Sequence, residues 1–387
     1  MLHEIFYLFL TVTLYLVACF VVARLSTRVG IEPTEASTFS SSLEVLRGFA
    51  AFLVFGAHST MYFGYAPKQV IAASMGEVGV LLFFMLTGHL FWSQIRENRY
   101  NAITFFKKRI YRLAPIMFLF ISIVMFLDWA TSGFPIPTAT QWLALFRNYG
   151  FGFGTVVNSI GNVNDVFSKD MYLRINNIWT LRWEWLFYLV IPILATLNRF
   201  SGATLFAVAL ALLFMDPFQL FTGATDIVFI MAFWFGGLSY ELEKNRDKYF
   251  KWLFSKTGSN IMLLLFVVAL FTYLLHGELA QKNVRYPAMI FFVFPIFLYF
   301  VISKSHFDRL TWTPLQLMGK VSYSFYLWHL AVNFYVMRIM SRWFHHPQSV
   351  GAFIATCLMM MLVGVTISVI TYRFIEEPFL KKSHIKK

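Results

Sequence analysis

Charge is what this chain is short of. Of its 387 residues only 13% are Asp, Glu, Lys or Arg, about half the usual share of roughly 25% in soluble domains. Hydrophobic residues make up 58% and mean hydropathy is +0.64. This shortage of polar side chains excludes a disordered chain, a coiled coil and an ordinary water-soluble enzyme. Cysteine is nearly absent too. Cys19 and Cys357 both lie in apolar runs, too few for a disulfide framework and without metal-ligand spacing. Acids are outnumbered by bases, 19 to 32, for a net charge of +13. In a soluble protein that excess would raise nucleic acid as a partner. No repeat, low-complexity tract or second soluble domain is visible.

Long apolar runs take the place of what is missing. A membrane-spanning helix needs about 20 mostly apolar residues. That rule predicts an all-α, polytopic integral membrane helix bundle of about eleven spans. They fall near 2–23, 43–65, 75–95, 113–130, 179–197, 201–215, 226–240, 261–275, 286–303, 321–340 and 351–372. Threading the chain with its N-terminus outside puts 22 Lys and Arg in inner loops, 7 in outer loops and 3 (Arg47, Arg182, Arg338) in spans. This is the positive-inside pattern, so topology explains the basic excess and nucleic acid is not needed. The C-terminus is then cytoplasmic. Residues 1–23 lack an N-terminal Lys or Arg and run on past Cys19 to Arg24 and Arg28, which favours a retained helix over a cleaved signal. The polar outer stretch near 131–178 is either a lid or a plain connector.

Ionisable groups inside spans are costly and therefore candidates for function. Arg47 and His58 lie eleven residues apart in the second span. On a helix that spacing puts them on one face, about 16 Å apart along the axis. His58 is either a neutral imidazole bonded to a backbone carbonyl or a proton-transfer group. Arg47 is either a snorkelling anchor or an anion-binding group at the inner mouth. In the fifth span Arg182 and Glu184 lie near the outer end, where Glu184 could reach the level of His58. His329 lies about eight residues into the tenth span, and His89 in the third reads as a packing residue. The inner loop Phe105–Pro115 carries Lys107, Lys108, Arg109 and Arg112. It is a topology determinant or a phosphate site.

These pieces together resemble the acyltransferase-3 family of integral membrane O-acyltransferases. Leu43-Glu44-Val45-Leu46-Arg47-Gly48-Phe49, followed by His58, is similar to the family's opening helix with its Arg, ten residues, then His. Gly79 through Phe83-Phe84 to Thr87-Gly88 resembles G-x-x-x-F-F-x-x-S-G. Phe106 to Pro115 resembles F-x-x-R-x-x-R-x-x-P at Arg109 and Arg112. Trp179-Thr180-Leu181 to Glu184 resembles W-S-L-x-x-E, with Phe187-Tyr188-Leu189 after it. Gly319 to His329 resembles G-x-x-S-Y-x-x-Y-L-W-H, and Glu376 with Pro378-Phe379 the closing E-x-P-F. Glu44 stands for the usual Asp, Thr87 for the usual Ser, and Arg182-Trp183 and His89 are atypical.

The resemblance covers 43–380 as a membrane domain of ten family helices. Residues 1–42 form an extra N-terminal helix and inner linker, and 381–387 a basic cytoplasmic tail. It implies transfer of an acyl group, most often acetyl, from acetyl-CoA as co-substrate to a hydroxyl of a cell-surface or exported carbohydrate at the inner (plasma) membrane. The partners are then acyl-CoA, a polysaccharide or lipid-linked sugar, and membrane lipids, with no nucleic acid and no metal. On this reading His58, Arg47 and Glu184 carry catalysis, and Arg47, Lys108, Arg109 and Arg112 hold the CoA phosphates. Arg182, Tyr323, His329 and Glu376 contact substrate. The rival class is a multi-span transporter or flippase of lipid-linked sugars, which usually shows internal repeats. The charge pattern predicts that a C-terminal green fluorescent protein fusion fluoresces, whereas a C-terminal alkaline phosphatase fusion stays inactive. The opposite pair of signals would invert the topology.

Overall fold

Hydrocarbon offers no water to backbone N–H and C=O groups, so a chain of this composition must close its hydrogen bonds within helices. The computed structural model describes residues 2–33, 38–59, 70–153, 174–198, 200, 224–249, 251–252, 255–258, 260–261, 264–265, 268, 282–302, 313–344 and 349–384. Among them there is helix and no strand. The principal helices are α1 (Leu2–Val29), α2 (Thr38–Ser59), α3 (Val70–Arg96), α4 (Ala102–Thr131) and α5 (Ala139–Arg147). Then come α6 (Trp179–Thr196), α7 (Ala224–Lys244), α8 (Lys282–Ile302), α9 (Thr313–Lys320), α10 (Ser322–Phe344), α11 (Val350–Thr371) and α12 (Glu377–His384). Among the described residues five segments are long and apolar enough to cross a membrane, at Phe9–Val29, Ser74–Arg96, Ala102–Thr131, Asn176–Thr196 and Val350–Ser383. Apolar side chains such as Phe9, Phe20, Phe126, Leu189 and Ile193 lie exposed on the outer surface, as lipid contact requires.

Nine of the eleven expected spans coincide with helices. The expected span at 201–215 lies outside the described residues, as does nearly all of 261–275. One expectation changes in kind. Residues 105–112, read as an inner loop, form the first turns of α4. Asn101 caps that helix, its side chain accepting from the Thr104 amide at 3.0 Å, and Lys and Arg are good helix formers. Arg109 and Arg112 are therefore carried into the bundle on a rigid element.

α2 is central, packing on α3, α9 and α10, while α3 packs against α7, α7 against α8, and α10 against α11. Glycines set the closest crossings. A Cβ at Gly88 of α3 would strike the Phe233 carbonyl of α7, and one at Gly236 of α7 would strike the Met85 carbonyl of α3. At the other side of the core, a Cβ at Gly319 of α9 would strike the Glu44 carbonyl of α2, and one at Gly48 would lie 2.9 Å from the Gly319 amide. Three glycines of the family-like segments thus let backbones touch, as small residues do between membrane helices. Phe52 of α2 and Phe325 of α10 stack with centroids 5.9 Å apart, setting the register between those helices.

The start of α6 has the largest consequence. Arg174, read as an outer-loop charge, is buried and donates at 2.5 Å to the buried Asp128 of α4 and at 3.0 Å to the Tyr335 hydroxyl. In the 3₁₀ turn Asn176–Ile178, the Asn177 amide donates to the Tyr326 and Leu327 carbonyls of α10 at 2.5 and 2.9 Å. These bonds hold the head of α6 beside the middle of α10. Removing one partner of a buried ion pair typically costs about 3–5 kcal/mol. Asp128→Asn should therefore lower the thermal midpoint in detergent sharply, and a midpoint unchanged from the parent would contradict this.

Candidate functional site

One face from each of five helices lines an internal cavity. α3 contributes Val80, Phe83, Phe84, Thr87 and Phe91; α4 contributes Arg109, Arg112 and Leu113; α6 contributes Thr180, Leu181, Glu184 and Tyr188. α10 adds Ser322, Tyr323 and Tyr326, and α2 adds Arg47. Spacings of three, four and seven residues explain why these side chains converge. The cavity holds about 720 Å³ not filled by protein atoms, part of it continuous with solvent.

Its chemistry is divided. The α3 wall is apolar and aromatic, whereas Arg47, Arg109 and Arg112 bring three guanidinium groups into the same cavity. All three are only half-buried. None comes within ion-pair distance of a carboxylate among the described residues, and Arg109 is held on one side by the Tyr188 hydroxyl. Arg109 lies over the Phe91 ring at 4.8 Å, a cation–π contact that helps hold the guanidinium in place. Each guanidinium has five donors in a fixed fork. Three carboxylates lie within electrostatic reach of these arginines: Glu44, one turn before Arg47; Glu184, which accepts from the Tyr188 hydroxyl at 2.6 Å; and the buried Glu376, which accepts from Ser324 at 2.9 Å. The π-helical turn Tyr372–Glu376 between α11 and α12 rotates Glu376 inward. The Tyr323 hydroxyl donates to the Leu113 carbonyl at 3.0 Å, tying α10 to α4 beside Arg112.

A second cavity, with about 930 Å³ not filled by protein atoms and part of it continuous with solvent, lies across Arg109 and Arg112, which wall both spaces. Its other walls include Arg99, Asn101, Thr104, Lys108 and Ser383. Arg99 is paired with Glu97 at 2.5 Å. The two cavities and their shared arginines form a polar basin that opens onto a partly apolar pocket.

His58 and His329 form a pair of their own. Their rings lie 5.1 Å apart, with His329 Nε2 3.1 Å from His58 Nδ1. His58 Nδ1 is also 2.9 Å from the Val54 carbonyl, and His329 Nδ1 is 2.5 Å from the Tyr326 carbonyl. The Tyr326 hydroxyl donates to the Asn177 carbonyl at 2.9 Å and lies 2.9 Å from Thr180 Oγ1. The Trp179-Thr180-Leu181 segment and the Tyr326–His329 segment are thus joined side by side.

The structure sorts the residues singled out from sequence. Arg47, Arg109, Arg112, Glu184 and Tyr323 converge on the first cavity, with Glu376 behind them and Lys108 on the second cavity only. Glu184 does not reach His58. No contact joins them among the described residues, and Glu184 faces the arginines instead. The reason is the buried start of α6. From Asn177, already beside Tyr326, seven residues at 1.5 Å each carry Glu184 about 10 Å toward the Arg47 level. Arg182 lines neither cavity; its guanidinium lies 5.4 Å from the adjacent Trp183 ring. His89 is buried, 2.8 Å from Ser239 and edge-on to Tyr240 and Phe297, as its packing reading anticipated. Tyr188 was missed as a site residue, although its i+4 spacing from Glu184 marks it. The pairing of His58 with His329 has no sequence signal, because it depends on the register of two distant helices.

The chain is 25% identical over 344 residues to the O-acetyltransferase OatA of Staphylococcus aureus strain NCTC 8325 / PS 47, and equally to OatA of strain COL. Those alignments cover 80% of this chain and 53% of each relative, so the chain spans about half the length of the curated relatives it matches. No solved structure matches it significantly. Residues 40–373 match the acyltransferase domain that defines the acyltransferase-3 family, and the segments meeting in these cavities lie within that match or at its edge. The chain is a multi-pass membrane protein and belongs to the acyltransferase-3 family.

Proposed function

We propose that this protein transfers an acyl group, acetyl first among the candidates, from acyl-CoA to a hydroxyl of a cell-surface or exported carbohydrate. The observation that carries the reading is the set of three guanidinium groups that line one cavity with no carboxylate in ion-pair contact among the described residues. Three like charges brought together in a helix bundle without a carboxylate in contact are costly, so such a group suits an anion supplied from outside the chain. Phosphate oxygens fit guanidinium forks best. The CoA phosphates would lie in the second cavity against Lys108, Arg109 and Arg112, with Arg47 deeper in. The uncharged pantetheine arm would follow the aromatic wall of α3. The thioester would then lie toward His58, about 16 Å from Arg47 along α2. The O-acetyltransferase names of the relatives support oxygen as the acceptor atom.

In this reading the arginine end faces the cytoplasm, where acyl-CoA is made, and the protein spans the inner (plasma) membrane with its N-terminus outside. His58 serves as general base, because a sugar hydroxyl is too weak an acid to attack a thioester unaided. The hydroxyl proton passes to the imidazole as the oxygen bonds to the thioester carbon. The C–S bond then breaks and the proton returns to the departing sulfur, giving ester and free thiol. Glu184, bonded to Tyr188, balances charge among the arginines, and Tyr323 and Glu376 shape that wall.

Two outcomes test this with purified full-length protein and acetyl-CoA. Arg109→Ala and Arg112→Ala should each raise the KM for acetyl-CoA about 10- to 100-fold, as loss of charged hydrogen bonds worth about 1.5–3 kcal/mol requires. Arg182→Ala should leave it unchanged. His58→Ala should lower kcat by about 10²- to 10⁴-fold at unchanged acetyl-CoA KM. Full acyl transfer by His58→Ala protein at normal membrane levels would remove the assignment.

A further inference from the structure

Resting on the reading of His58 as general base, we propose that His329 is its positioning residue. The His329 imidazole accepts the Nδ1–H of His58 and thereby leaves the His58 Nε2 lone pair free for the acceptor hydroxyl. Two backbone carbonyls fix where the ring protons lie. A carbonyl oxygen only accepts, so His58 Nδ1, 2.9 Å from the Val54 carbonyl, carries hydrogen. His329 Nδ1, 2.5 Å from the Tyr326 carbonyl, carries one for the same reason. A neutral imidazole has a single N–H, so His329 Nε2 bears a lone pair, and it lies 3.1 Å from the protonated His58 Nδ1. The His58 Nδ1–H is shared between two acceptors, Val54 O and His329 Nε2. One ring nitrogen remains without a donor or acceptor in this chain of bonds: His58 Nε2.

The surroundings hold His329 still. It is 1% exposed, and the same Tyr326 carbonyl that takes its Nδ1–H also accepts from Asn177 at 2.5 Å. The Tyr326 side chain is fixed in turn to Asn177 and Thr180 at the head of α6. His58, on the other hand, is partly exposed, as a group that meets substrate must be.

During transfer His58 Nε2 takes the hydroxyl proton and the ring becomes an imidazolium. Its Nδ1–H then has two waiting acceptors, and His329 keeps its own proton throughout. A carboxylate does this work in hydrolytic Ser-His-Asp triads, orienting the imidazole and stabilising its cation. A neutral imidazole gives the orientation without a fixed buried charge, which is expensive inside a membrane. This also accounts for Glu184 lying among the arginines rather than at His58.

The experiment compares His329→Leu, His329→Gln and His58→Ala in the full-length protein. The assay follows transfer of radiolabelled acetyl from acetyl-CoA to glycans in membranes of the producing cell. Leucine fills similar volume and cannot accept a hydrogen bond; the Gln carbonyl can accept near the position of Nε2. The proposal expects His329→Leu to lower kcat about 100-fold at unchanged KM for acetyl-CoA, the scale of a general-base contribution. It expects His329→Gln to recover to within about tenfold of the parent on the same scale. A residue acting only through packing would tolerate Leu at least as well as Gln, and that result overturns the proposal. If the Leu variant fails to accumulate in membranes, His329→Met takes its place in the same comparison. His58→Ala inactive with His329→Leu fully active refutes the positioning role alone. Full activity of His58→Ala refutes the general-base reading beneath it.

Discussion

A guanidinium group drawn into a helix bundle without a carboxylate in contact is an unfinished interaction, and the rest of this protein is arranged around three of them. Arg47, Arg109 and Arg112 come from α2 and α4, on either side of α3 in the chain, and none has a carboxylate in ion-pair contact among the described residues. Direct ion pairs would have satisfied them and closed the cavity. Instead Glu184 and Glu376 stand within electrostatic reach and are themselves held by Tyr188 and Ser324. That spacing lowers the cost of the buried positive charge while leaving the forks open to an anion.

Depth is the second organising constraint. Along α2 the arginine and the histidine mark two levels about 16 Å apart, and other helices are threaded to meet one or the other. α10 supplies Tyr323 near the arginines and His329 at His58. α6 begins at the histidine level, because Arg174 and Asn177 pin its head to α4 and α10, and delivers Glu184 to the arginine level. The ion pair of Arg174 with Asp128 therefore acts on chemistry it never touches, by fixing where α6 starts. Glycine contacts do the same for the lateral dimension. Gly88 with Gly236, and Gly48 with Gly319, set how closely α3, α7, α2 and α9 approach, and so how wide the cavity is.

Several segments that stand out in the sequence divide, on inspection, into packing and polar parts. In Gly79–Gly88 the glycines meet backbones of α2 and α7, while Phe83, Phe84 and Thr87 face the cavity. In Phe106–Pro115 the arginines face inward because the segment is helix rather than loop. Loop was the natural reading there. A charge cluster beside an apolar run marks a membrane boundary, and only the Asn101 cap and the packing of α12 on α4 carry the helix through it.

The positions of nine helices and the shared helix face of Arg47 and His58 were readable from one dimension. Hydrophobic run length, charge asymmetry and the 100° step of a helix are local properties of a sequence. The partners across helices were not: His329 for His58, Ser324 for Glu376, Asn177 for the Tyr326 and Leu327 carbonyls, and the arginines rather than His58 for Glu184. Those contacts depend on the relative depth and rotation of helices that may be separated by hundreds of residues. Depth is set by a few buried polar bonds and glycine crossings, and these become determinate only when every helix has packed against its neighbours.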